Sequence, residues 1–318
     1  MFGFVLALAM LTGLSSEVAS LAPSPALDRT VLAMGTQLRL HLEGASDLVG
    51  VSELVLAESA RIEAACSTWN PDSAWSRLNE AKGAPVPLAE EWLQLLGQIQ
   101  AWNRRTEGTF DPVLMSLVQA WGTRQGGRTP DLRSLASARQ ASGSNLLLLD
   151  RNQGTARLLH PRAGVEEGGF LKGYALDAMR RKAGVPTGWM DFGGQVLAWG
   201  KPLSAEIADP LDRLSTRCRL VLNGTSLSCS GTSERGRHIL DPRSGEPCPA
   251  WGSTAVVAGD GLTADVLSTA LYVMGPAQGL AWAEQHGFAA AFLLNDGGIR
   301  MTSAFWSLHP TLIPREKR

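Results

Sequence analysis

The sequence predicts an α+β fold, on three observations. Helix-sized segments and hairpin-sized pairs follow one another irregularly along the 318 residues, without a regular βαβ succession. Turn signals such as Asn223-Gly224, Asp150-Arg151-Asn152-Gln153-Gly154 and Asn295-Asp296-Gly297-Gly298 separate strand-like runs. No short-period repeat is visible. The length suits one large domain or two lobes around a shared cleft.

The elements follow in order. Residues 2–14 are apolar but too short to span a bilayer, which needs roughly 20 apolar residues. Small residues follow, so 1–22 reads as a secretory signal peptide with cleavage near Ser20 or Ala22, although no Lys or Arg precedes Arg29. Residues 23–30 read as a linker, and 31–42 as strand interrupted by Met34-Gly35-Thr36. A helix is expected over 47–65, then a polar loop from Ser67 to Ser73. Residues 90–105 carry Trp92, Leu95, Leu96, Ile99 and Trp102 at helical spacing, with Gly108 as the stop. Residues 126–144 read as surface loop with a short helix, and 146–159 as a hairpin. A helix runs from the Gly168 segment to about 182, stopped by Gly184; a strand follows at 195–199. Asn223-Gly224 predicts a tight hairpin over 216–230. A helix containing Asp265 follows, then a second begun by Pro276 and stopped by Gly287, and a last hairpin over 288–302.

Net charge is −1 and charged residues make up 19 %, so nothing favours a nucleic-acid partner. Hydrophobic content of 44 % is ordinary for a globular protein. The cysteines are 66, 218, 229 and 248, and none has zinc-ligand spacing. The predicted turn would set Cys218 opposite Cys229 at a hydrogen-bonded position, where Cα atoms are further apart. Export would permit a disulfide there, and the pairing is left open.

Several clusters bear on chemistry. Asp265, Ser268 and Thr269 share one face of an otherwise apolar helix. A carboxylate with hydroxyls one turn on suits a hard cation that keeps positions for phosphate and water; the alternative is a buried helix that merely contains Ser and Thr. Gly168-Gly169 before a helix suits phosphate, with Lys172 adding charge. Glu166 and Glu167 beside an anion make sense if a cation lies between, and an ordinary Gly-rich turn is the alternative. Asp111 before Pro112 reads first as a turn or cap residue, second as an acceptor for a ring amine. His238 is a general base or a structural hydrogen-bonder. Histidines 41, 160, 286 and 309 have no visible partner, and no GxSxG, HExxH or Cys–His pattern occurs.

Taken in order, these segments resemble the ApbE family, the FAD:protein FMN transferases. The likeness rests on Met34-Gly35-Thr36, on Ser67-Thr68-Trp69-Asn70-Pro71-Asp72-Ser73 and on Thr106 to Pro112 with Trp121-Gly122. It continues through Gly168-Gly169 with Lys172 to Asp177, Phe192-Gly193-Gly194, Ser230-Gly231, His238 to Gly245, and Ala264-Asp265 with Ser268-Thr269-Ala270. The resemblance implies two α+β lobes with mixed or antiparallel sheets and an FAD cleft between them, over residues 31–318. It implies magnesium at Asp265 and Thr269, with Ser268 and a backbone oxygen near Gly169. Met34, Trp69, Asp111, Glu166, Lys172 and His238 would line the FAD site, with Thr109 and Phe110 beside the adenine.

The implied reaction moves FMN from FAD to a Thr or Ser hydroxyl of a respiratory or redox flavoprotein and releases AMP. Asp265 and His238 are the candidate catalytic groups. The implied location is exported: periplasmic, or on the outer side of the inner membrane. Departures from the family pattern are Glu166 for Asp, Trp69 for Tyr, Gln195 for an acidic residue or Asn, and a shorter segment before Arg237-His238. An FAD pyrophosphatase and a non-catalytic flavin-binding protein are the competing readings.

Overall fold

The computed structural model describes residues 25–232 and 238–315. The signal segment 1–22 and residue Arg237 lie outside the described residues. The described residues start with β1 (Ala26–Ala33), which turns back as β2 (Thr36–Glu43) through Met34 and Gly35, both at positive φ. The expected linker over 23–30 is therefore corrected: from Ala26 the chain is already an edge strand of the main sheet. Its exposed and half-buried residues alternate with no fully buried member, so it has no strong apolar period.

Next come α1 (Leu48–Cys66), α2 (Ala74–Glu80), β3 (Val86–Pro87) and α3 (Glu90–Arg105). The Asp47 carboxylate accepts from the Gly50 N–H at 2.8 Å and caps α1. α3 buries Trp92, Leu95, Leu96 and Ile99 as its spacing predicts. Short helices α4 (Met115–Trp121) and α5 (Leu132–Gln140) precede the hairpin β4 (Leu147–Asp150) and β5 (Thr155–Leu158). α6 (Leu171–Ala183) stops at Gly184, whose φ of 60° is the left-handed cap a glycine allows.

β6 (Thr187–Phe192) and β7 (Gln195–Trp199) form a hairpin through Gly193 and Gly194. Then come β8 (Leu203–Ala208), β9 (Thr216–Leu222), β10 (Thr225–Gly231) and β11 (Gly252–Ala258). α7 (Gly261–Gln285) breaks at Gly275, where Pro276 begins the second segment as expected. β12 (Ala289–Leu294), β13 (Ile299–Met301), α8 (Ser303–Trp306) and β14 (Thr311–Leu312) complete the chain.

Eight strands form the main sheet in the order β1-β2-β6-β7-β10-β11-β12-β13. Two three-stranded sheets, β14-β9-β8 and β3-β5-β4, accompany it. Every ladder among the described residues is antiparallel, so the α+β architecture is present. The main sheet is covered on both faces. On β11, Val256 packs with Leu267 and Leu271 of α7, while Ala255 and Val257 pack with Leu220 and Leu222 of β9. α6 lies against α1 and α7, and α7 runs along β10 and β11. Among the described residues, no helix is long and apolar enough to cross a membrane.

Asn223-Gly224 does not close the expected hairpin. β7 and β11 occupy both edges of β10, so β9 pairs with β8 and β14 in another sheet. The turn is a corner between sheets. Cys218 and Cys229 consequently lie on strands of different sheets and are not bridged to one another.

Candidate functional site

The site forms where the first turns of α6 and α7 meet. Close approach requires glycine on both helices: a Cβ on Gly173 would lie 2.2 Å from the Gly261 carbonyl oxygen and 2.8 Å from Asp265 Cβ. Asp260 caps α7 by accepting from Thr263 N at 2.7 Å. Asp177 of α6 accepts from Gly261 N at 2.7 Å and Leu262 N at 2.9 Å. The exposed donors of the α7 N-terminus are thus satisfied by two carboxylates, which also suit the helix dipole.

Asp265 is 5 % exposed, and its Oδ2 accepts from Gly173 N at 3.0 Å. In a continued helix, that N–H would serve the carbonyl of Gly169. Its diversion to Asp265 leaves the Gly169 carbonyl with no hydrogen bond among the described residues. Asp265 Oδ1 likewise accepts none there. Thr269 stands beside them: a Cβ on Gly169 would lie 3.4 Å from Thr269 Oγ1 and 3.2 Å from the Phe110 ring. Residues that carry one carboxylate oxygen, one hydroxyl and one carbonyl are thus gathered at one junction, where Gly169 meets Thr269 and Asp265 bonds to Gly173. These are hard oxygen donors with a single charge, which fits magnesium with places left for phosphate oxygens and water. Among the described residues no cluster of three or more His, Cys, Asp and Glu side chains forms.

Ser268 is corrected. It is fully buried, and its hydroxyl donates to the Asp265 carbonyl at 2.9 Å. Ser228 and Ser230 of β10 lie 3.2 and 2.9 Å from the same oxygen, so its proton and both lone pairs are committed within the protein. It supports the ligand face without offering an oxygen.

The other predicted residues divide. Phe110 is buried, edge-on to Phe170 with ring centroids 6.2 Å apart, and forms the wall beside Gly169. Thr109 is buried and donates to Thr106 O at 2.8 Å. Asp111 accepts from Val113 N at 2.8 Å, Ser144 N at 2.8 Å and Asn103 Nδ2 at 2.9 Å. Asp111 thus organises its turn, with three of the roughly four lone-pair directions of its carboxylate in use. Lys172 makes no hydrogen bond or ion pair among the described residues and lies in the first turn of α6. Met34 holds a φ of 46°, and its N–H donates to Glu63 Oε2 at 3.1 Å. His238 is half-buried, and the adjacent Ile239 packs with Tyr272 and Val273, one turn beyond Thr269.

Glu166 is held differently from expectation. Arg124 pairs with both Glu166 and Glu167 and donates to Thr68 Oγ1 at 2.7 Å. Its guanidinium also lies 4.5 Å from the ring centroid of Trp69, which is 67 % exposed. Burial, then the charge of Glu167, pushes the Glu166 carboxyl above its ordinary range. Sequence reading missed Arg124 because nothing local ties position 124 to 166. It also gave no role to Gly173, Asp177 or Ser230, and did not single out Ser228. Arg124→Ala leaves two largely buried carboxylates facing each other, and is expected to destabilise the fold by roughly 3 kcal/mol. A denaturant midpoint equal to wild type would contradict that account.

Burial raises the Asp111 carboxyl from 3.8 to about 6, against three hydrogen bonds that lower it. Between about pH 4 and 6 the native state thus keeps a proton that the unfolded chain has released. The contribution of Asp111 is fully present below that window and falls as pH rises through it. Thermal melts of wild type and Asp111→Asn from pH 4 to 6 are expected to show the wild-type advantage shrinking; parallel curves would refute this.

Two clefts open nearby. One of about 920 Å³ lies between α3, α6 and the start of α7, lined by Glu91, Tyr174, Asp177 and Asp260. The other, of about 870 Å³, includes Thr68 and Arg124. Neither is lined by Asp265 or Thr269, so the oxygen cluster locates the site better than cleft size does.

An antiparallel α+β frame, with a carboxylate and a hydroxyl of one helix brought against the glycines at the start of another, sets the class of α+β proteins to which the chain belongs. Within that class the chain belongs to the ApbE family, whose sequence model matches residues 34–293. It is 27 % identical to a Haemophilus influenzae FAD:protein FMN transferase over 79 % of this chain and 81 % of that protein. The flavinyl transferase ApbE of Pseudomonas stutzeri, solved in its apo form, superposes with a TM-score of 0.81 at 26 % identity, covering 90 % of this chain and 97 % of that one. The ApbE protein of Thermotoga maritima gives 0.83 at 25 % identity, covering 92 % and 100 %.

Proposed function

We propose that this protein transfers FMN from FAD to a Thr or Ser hydroxyl of a respiratory or redox flavoprotein, forming a phosphoester and releasing AMP. The observation that carries this reading is the gathering of Asp265, Thr269 and Gly169 at one junction beside the α6 N-terminus. Family membership and the names borne by the relatives support it.

Asp265, Thr269 and the Gly169 carbonyl would hold Mg2+. Bound there, it would neutralise the pyrophosphate and the leaving oxygen. Lys172 supplies a further positive charge at the helix N-terminus. Phe110 closes the wall beside Gly169, and the exposed Trp69 ring offers a face for an aromatic ligand. The acceptor oxygen bonds to the FMN-side phosphorus, the pyrophosphate bond to AMP breaks, and His238 is the candidate to take the hydroxyl proton. Export to the periplasm or the outer side of the inner membrane is part of this reading and rests on the apolar run 2–14.

The test is the intact mass of a Thr-containing acceptor fragment incubated with the protein, FAD and Mg2+. A gain of one FMN residue that EDTA abolishes is expected. Free FMN and AMP without that gain would indicate hydrolysis, and unconsumed FAD would indicate a binding protein.

A further inference from the structure

We propose that Ser230 is a positioning residue that takes the proton of the Thr269 hydroxyl, so that a Thr269 lone pair is left for the cation site. The inference rests on the magnesium reading above and adds a residue and a polarity to it.

Each hydroxyl of this cluster has one proton to give. A backbone carbonyl only accepts, so Ser268 must spend its one proton on the Asp265 carbonyl, 2.9 Å away. Ser230 Oγ lies 2.9 Å from Ser268 Oγ and Ser228 Oγ lies 3.2 Å from it. Both contacts then need the strand serine as donor. Ser230 has thereby used its own proton, and its 3.3 Å contact with Thr269 Oγ1 requires Thr269 to donate. The chain runs one way: Thr269 to Ser230, Ser230 to Ser268, Ser268 to the Asp265 carbonyl.

The usual alternative is closed. A helical Thr tends to donate to the carbonyl one turn back, which for Thr269 is that of Asp265. That oxygen already takes the helix N–H of Thr269 and the Ser268 hydroxyl. The sheet supplies the acceptor instead: Ser226, Ser228 and Ser230 alternate along β10, and this period of two brings Ser228 and Ser230 to α7. Ser228 and Ser268 are buried while Ser230 and Thr269 are half-buried, so the chain starts at the open end and stops inside. A hydroxyl ligand binds through a lone pair and needs somewhere for its proton, and Ser230 provides that place.

The two strand serines make the test specific, because both donate to Ser268 but only Ser230 accepts from Thr269. The probe is MnCl2 alone, titrated into flavin-free protein and followed by the electron paramagnetic resonance of free Mn2+, with thermal melting in parallel. Ser230→Ala is expected to weaken Mn2+ binding about tenfold, the usual size for an outer partner of a metal ligand. Ser230→Thr, which keeps the hydroxyl, is expected to restore it, and Ser228→Ala to bind as wild type. Unchanged binding in Ser230→Ala, or equal weakening in Ser228→Ala, overturns the polarity argument. The metal reading fails separately: Asp265→Asn binding Mn2+ like wild type, or wild type not binding it, removes the cation site itself.

Discussion

Asp265→Asn is expected to lower FMN transfer by about 10³-fold, or roughly 4 kcal/mol of barrier, with the melting temperature nearly unchanged. The two oxygens of Asp265 do different things. Oδ2 accepts from Gly173 N and ties α7 to α6. Oδ1 accepts no hydrogen bond among the described residues, and Asp265 shares its helix face with Thr269. Asparagine keeps an acceptor for Gly173 and removes the only charge in the ligand set, so the fold stays and the cation is lost. Asp265→Ala removes both functions, and is expected to add a stability loss of about 1 kcal/mol, the net worth of one hydrogen bond. Steady-state transfer and thermal melting on both variants separate the two roles. An Asn variant within threefold of wild-type activity would remove Asp265 from the site.

The parts of this protein legible in its sequence are those set by local periodicity. Asp265, Ser268 and Thr269 share a face because a helix repeats every 3.6 residues, and the break at Gly275-Pro276 needs only the chemistry of those two residues. Pairing between distant segments was not legible. The serines of β10 alternate visibly, but which face meets α7 depends on which strands flank β10. The same fact turned Asn223-Gly224 from a hairpin into a corner. β11 was missed because Val256, Ala255 and Val257 are buried on opposite faces, leaving no polar alternation to read. Ser268 looked like a ligand because spacing reports a face and says nothing of depth. The Arg124–Glu166 pair was not legible because the two residues lie far apart in sequence.

Gly173→Ala is expected to be among the most damaging single-methyl additions in the molecule. Its Cβ would sit 2.2 Å from the Gly261 oxygen, 2.6 Å from the Gly261 carbonyl carbon and 2.8 Å from Asp265 Cβ. Two of these neighbours are backbone, so neither can rotate away. The crowding is mutual, since a Cβ on Gly261 would meet the Gly173 oxygen at 2.5 Å. Relief requires α6 and α7 to separate, at a cost of about 1–3 kcal/mol for overpacking. About 1 kcal/mol more goes with the Gly173–Asp265 hydrogen bond. The separation acts directly on function, because Gly169 lies just before α6 while Asp265 and Thr269 ride on α7. Moving the helices apart pulls the Gly169 carbonyl from its two partner oxygens. Gly184→Ala is the control: its φ of 60° makes a Cβ costly by about 1 kcal/mol, but nothing lies within 4 Å and no site residue moves. Thermal melting with Mn2+ titration should therefore show stability and metal binding lost together at Gly173, and a small stability loss alone at Gly184. If Gly173→Ala melted several degrees lower yet bound Mn2+ like wild type, the cation site would not span the junction of the two helices.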